Sequence, residues 1–161
     1  MTLILTDESA GRHQTPSGHP ERPERYSAVL SAIAGAGLAA VTAPLATREQ
    51  LELVHSPAYL EMIFETLEGH DFSEGRLIQL DGDTFAGPDS LEAALRGAGA
   101  ACLAVDKVMS GQACSVFSAM RPPGHHAEYG SDTQCRRHVC HDDSTFRHTL
   151  VLNHIIRYRL P

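Results

Sequence analysis

The chain has no tryptophan, and only 6% of its 161 residues are aromatic. A platform on which nucleic-acid bases stack is therefore not expected. Positive charge is also scarce: 13 Lys and Arg stand against 20 Asp and Glu, a formal charge of -7. That balance excludes a basic nucleic-acid footprint over the chain as a whole. No apolar run approaches the roughly 18 residues of a membrane helix. The opening MTLILT reaches Asp7 and Glu8 at once, without the basic lead and longer apolar stretch of a secretory signal. Four cysteines, Cys102, Cys114, Cys135 and Cys140, are too few and too unevenly spread for a disulfide framework. The expectation from these absences is a reduced, cytoplasmic protein. What is present, 42% hydrophobic residues in 161, suffices for one buried core and not for two.

The average charge conceals a break. Residues 1–133 carry eight Lys or Arg and eighteen Asp or Glu, a net of -10. Residues 134–161 carry five Arg and two Asp, a net of +3, together with four of the ten histidines. Such asymmetry marks a boundary between segments of different origin or role. The division expected is therefore 1–133 as the domain portion and 134–161 as an Arg/His-rich tail that does not continue it.

The first segment reads as α/β. Leu3 to Leu5 is a short apolar run suited to a buried strand, followed by a turn-rich polar loop from Asp7 to Pro23. The next helix presents Val29, Leu30 and Ile33 on one face and ends at Gly35 or Gly37. Thr47 with Gln50 three residues on has the form of a capping box. Ser56 before Pro57 starts another helix, striped by Leu60, Ile63, Phe64 and Leu67. The longest helix begins near Asp89, with Leu91, Leu95, Ala98, Cys102, Val105 and Met109 in helical step and Gly111 closing it. Its small residues, Gly97 to Ala101, predict close packing. Cys114 to Met120 reads as a buried strand bounded by Gly111 and Pro122. Strand, long helix and second strand predict a right-handed crossover in an open, mostly parallel sheet with flanking helices.

In open α/β sheets ligands bind beyond the carboxyl ends of the strands. The segment leaving the Cys114–Met120 strand is RPPGHHA, with His125 and His126 adjacent on a loop stiffened by Pro122 and Pro123 and turned at Gly124. Each imidazole disfavours charging of the other. The pair can thus supply a neutral base beside an electrostatic partner. It reads equally as two surface histidines in a turn.

RPPGHHAE, with GHPERPER at 18–25, VHSPAYL at 54–60 and DGDT at 81–84, resembles the histone deacetylase family, on its class II and bacterial amidohydrolase side. The resemblance covers about residues 1–133, the early part of a family domain. It implies an arginase-like α/β fold and, in an intact member, zinc-dependent hydrolysis of N-acetylated lysine or polyamine amides. It further implies that His126 acts as general base and His125 as its electrostatic partner, and that Asp83 grips the substrate backbone. Asp81 competes with Asp83 for that alignment, and either aspartate also fits a simple turn. The PERPER segment is expected to shape the first loop of the active site, with Arg22 and Arg25 making ion pairs only.

The family's later motifs are not found in this sequence. Gln134-Cys135-Arg136-Arg137 stands where Gly-Phe-Cys is expected, and no Asp-x-His occurs from Gln134 to Pro161. No metal ligand can be assigned, Tyr158 does not match the family's tyrosine, and the expected product is an incomplete, inactive version of the enzyme. Translation in a wrong reading frame, a truncated pseudogene product or genuine divergence would each give this pattern. The β-sheet is then expected to keep an unpaired edge, with Val116 and Phe117 uncovered. The alternative function is a non-catalytic binding protein whose tail holds metal through Cys135, His138, Cys140, His141, His148 and His154. Adventitious Cys and His in that tail is the competing reading, because the spacing lacks a finger core.

Overall fold

The computed structural model describes residues 2–124 and a strand at 155–157. Its centre is β1 (Thr2–Thr6), whose Ile4 and Leu5 are buried. On one side β1 pairs in parallel with β2 (Ala40–Thr42), with Leu5 opposite Val41. On the other side it pairs in parallel with β5 (Ser115–Ser118), with Leu3 opposite Val116. The last strand, β6 (Ile155–Arg157), runs antiparallel against β5, giving the order β2-β1-β5-β6. The sheet is thus mostly parallel, as the apolar strand patterns predict.

Two helices follow β1: α1 (Ser9–Arg12) and α2 (Pro23–Gly35). The first is a departure from expectation, since this stretch reads as loop. Asp7 explains it: one of its side-chain oxygens accepts from the Ser9 N–H at 2.9 Å and turns the chain into a helical step. Between β2 and β5 come α3 (Arg48–Glu52), α4 (Pro57–Glu68) and the two-stranded hairpin β3 (Ile78–Gln79) and β4 (Phe85–Ala86). The long helix α5 (Ser90–Met109) leads into β5. The capping box of Thr47 and Gln50 is formed, and Ser56 Oγ accepts from Tyr59 N–H ahead of Pro57. Gly37 and Gly111 adopt φ of +66° and +74° just past α2 and α5, a left-handed conformation that side chains resist and that turns the chain out of each helix.

The buried face of α5 differs from the one its large residues suggest. Ala93, Gly97, Ala100, Ala101, Ala104 and Val108 are buried, whereas Met109 is 59% exposed. Ala100, Ala104 and Val108 pack on Leu5, Val116 and Met120 against the sheet. Leu95 and Ala98 serve a second, smaller cluster with Leu51, Leu60 and Phe64. Close approach selects the small side: a Cβ on Gly99 would lie 2.1 Å from the Pro44 carbonyl oxygen. The expectation of an uncovered Val116 on an edge strand is also corrected, although Phe117 stays partly exposed and β2 and β6 are the sheet's edges. β6 pairs with β5, and Val116 is 1% exposed.

Candidate functional site

Because β1 and β5 are parallel, the chain leaves both at the same end of the sheet. The segment after α1 and the segment after β5 meet there, and the β3–β4 hairpin joins them. Together they line a pocket of about 280 Å³. Its walls include His13, His19, Glu21 and Arg25 from the first segment, Asp83 and Phe85 from the hairpin, and Pro122 and Pro123 from the third.

The pocket is built on a buried charge. Arg121 is 4% exposed, and an arginine does not shed its proton, so its N–H groups need fixed partners. Nε and Nη2 donate to the two carboxylate oxygens of Glu21 at 2.5 and 2.8 Å. Nη1 donates to the carbonyl oxygens of Ala10 and His13 at 2.7 and 3.1 Å. This two-pronged arrangement is the strong, directional form of an ion pair. Burial pushes the Glu21 carboxyl up, but His13 and Arg121 together outweigh it and hold the group at about 2.

The network continues through His13, whose Nε2 lies 3.5 Å from Glu21 Oε2 and whose Nδ1 lies 2.7 Å from Ser90 Oγ. Ser90 Oγ also accepts from Gly87 N–H at 2.7 Å. Nε2 of His13 thus faces the carboxylate, while Nδ1 shares a hydrogen bond with Ser90 Oγ. The first turn of α5, the loop after α1 and the exit of β5 are therefore tied together in one buried chain of hydrogen bonds.

The DGDT turn is divided between two tasks. Asp81 holds the turn itself, with Oδ1 accepting from Asp83 N–H at 2.8 Å and Oδ2 from Thr84 Oγ1 at 2.7 Å. Asp83 instead reaches His19, with Oδ1 at 2.9 Å from Nε2, and its carboxylate stays 63% exposed at the pocket. The geometry thus separates the two aspartates that the sequence leaves competing. His125 and His126 lie outside the described residues, as do Cys135, His138, Cys140, His141, His148, His154 and Tyr158. Among the described residues no three His, Cys, Asp or Glu side chains stand together as a metal site, so these residues do not fit the zinc that the resemblance implies. No helix among them is long and apolar enough to cross a membrane.

Sequence reasoning singled out Arg22 and Arg25 of the PERPER segment and passed over Glu21. In the structure Arg22 is exposed, and among the described residues the Arg25 side chain reaches only the Pro20 carbonyl, at 3.5 Å. The available signal was Arg121 itself: a cation directly after an apolar strand demands a buried anion, and the loop from 7 to 23 is the polar segment nearest in the predicted sheet.

Residues 19–133 match the family described as "Histone deacetylase domain". A histone deacetylase-like amidohydrolase of Pseudomonas aeruginosa is 40% identical over 128 residues, covering 76% of this chain and 32% of its own length. The polyamine deacetylase HDAC10 of Homo sapiens is 35% identical over 118 residues, 70% of this chain and 18% of its own length. The type-2 histone deacetylase 1 of Dictyostelium discoideum is 33% identical over 162 residues, 71% and 11% respectively. The chain thus spans less than a third of each of these relatives. The crystal structure of the HDA15 HD domain superposes with a TM-score of 0.69 at 27% identity, over 80% of this chain and 37% of that one.

Proposed function

The chain belongs to the histone deacetylase domain family over residues 19–133, and from that premise we propose that its intact form is a zinc-dependent hydrolase of N-acetylated lysine or polyamine amides. The observation that carries the reading is the pocket where the β5 exit, the loop after α1 and the DGDT turn converge. Pro122 and Pro123 line it, and His125 and His126 follow within four residues in the sequence. In this reading the imidazole of His126 takes a proton from the attacking water, and His125 is its electrostatic partner. Asp83 accepts a hydrogen bond from the backbone of a peptide substrate, which its exposed carboxylate supports.

The 161-residue chain itself is proposed to be inactive. The family's Asp-x-His is absent from Gln134 to Pro161, and the described residues form no metal site. An acetyl-lysine peptide or an N-acetylated polyamine incubated with the purified chain and added zinc is expected to remain intact. Turnover that His126→Ala abolishes would overturn the inactivity. Resequencing the coding DNA from codon 120 onward tests the intact form. A second frame encoding Gly-Phe-Cys, Asp-x-His and a later tyrosine is the expected result, and none in any frame would count against it.

A further inference from the structure

His19 and Asp83 are 64 residues apart in the chain, yet the imidazole Nε2 sits 2.9 Å from Asp83 Oδ1 at the pocket. The His19 side chain is 13% exposed, and its ring meets Phe85 edge-on at 5.6 Å between centroids. Only Nδ1 faces its own loop, where both the carbonyl oxygen and the N–H of Glu21 lie at 3.1 Å. That arrangement accommodates either charge state. A protonated ring donates from Nδ1 to the carbonyl, and a neutral ring accepts there from the N–H, while Nε2–H points at Asp83 in both. We infer that His19 is a positioning residue for Asp83: it clasps the β3–β4 turn to the loop after α1, holds one carboxylate oxygen, and leaves the other for a ligand N–H. The ligand half of this inference rests on the reading of Asp83 given above; the clasp does not.

The strength of the clasp depends on the charge of His19. Asp83 and the Glu21 carbonyl favour the protonated ring and raise it above the ordinary histidine value against partial burial. Charge-assisted hydrogen bonds are roughly twice as strong as neutral ones, so the clasp loosens as pH rises through that raised value. Among the described residues, the other charged or titratable groups at the pocket are Glu21, His13 and Arg25, with Arg121 behind Glu21 and Asp81 in the turn. Glu21, held at about 2, stays ionised throughout this range, and removing the His19 imidazole distinguishes its effect from that of any other group.

Amide hydrogen exchange of residues 78–86 in the full 161-residue chain tests the clasp. After correction for the intrinsic chemical rate, protection is expected to be about two- to fivefold greater at pH 5.5 than at pH 8.5. His19→Gln, which keeps an uncharged donor, and Asp83→Asn are both expected to be flat with pH. A pH profile that persists in His19→Gln assigns the effect to a group other than His19 and overturns the clasp, as does a flat profile in the unsubstituted chain. An acetyl-lysine peptide added at pH 5.5 tests the other half. Added protection that Asp83→Asn removes supports the ligand role. The same protection in Asp83→Asn overturns that role while leaving the clasp standing.

Discussion

Replacing Glu21 by glutamine keeps the shape of the side chain and removes its charge, leaving the Arg121 guanidinium 4% exposed with no anion. The loss can be worked from the carboxyl itself. Glu21 falls from 4.5 to about 2 on folding, and at about 1.4 kcal/mol per unit this corresponds to about 3 kcal/mol. Only 14% of the side chain is exposed, so little is lost to solvent screening. Breaking a buried pair by removing one partner generally costs about 3–5 kcal/mol, which agrees. For a chain of this size about 3 kcal/mol corresponds to a Tm about 6–12 °C lower. The pH dependence follows from the direction of the shift. A depressed carboxyl contributes fully above its unfolded value of 4.5 and loses that contribution as pH falls toward about 2. Thermal melts of the unsubstituted chain and of Glu21→Gln should therefore lie furthest apart at pH 6–7 and converge toward pH 2–3. A Tm difference under about 2 °C at pH 7, or one that does not shrink on acidification, would refute the reasoning.

Gly99→Ala places a Cβ 2.1 Å from the Pro44 carbonyl oxygen and 2.7 Å from Ala46 N. The backbone has to move, and urea unfolding should show a loss of about 2–3 kcal/mol despite the better helix propensity of alanine. Ser90→Ala leaves Gly87 N–H and His13 Nδ1 without their buried partner, a cost of about 1–3 kcal/mol by the same assay. Thr47→Ala removes one half of an exposed capping box and should cost about 1 kcal/mol. Arg121→Lys keeps the charge but not the fork that reaches Glu21, Ala10 and His13 together; melts should place it between the unsubstituted chain and Glu21→Gln.

Local chemistry was legible in the sequence. The strand at β1, the caps at Thr47 and Ser56, the proline start of α4 and the glycine exits after α2 and α5 depend on residues within a turn of one another. Neighbour patterns report such features well. The family motifs were equally plain, because they are contiguous strings. Which face of α5 is buried was not legible, since the largest apolar residues dominate the helical pattern while the distance to the sheet and to Pro44 admits only glycine and alanine. The short α1 was missed for a different reason: the single Asp7 side chain that turns it sits in a polar, proline- and glycine-rich stretch that reads as loop.

The site divides along the same line. Sequence alone determined that the chain is acidic, that it carries the RPPGHHA and DGDT strings, and that residues 134–161 differ in charge and lack the family's Asp-x-His. Tertiary structure alone decided that Asp81 holds the turn while Asp83 faces the pocket, and that Glu21 rather than Arg22 or Arg25 anchors the loop. The ion pair of Glu21 with Arg121 spans 100 positions, and no local pattern encodes such a partner. It is set by two parallel strands that leave the sheet at one end, and by a buried arginine whose charge must be met there.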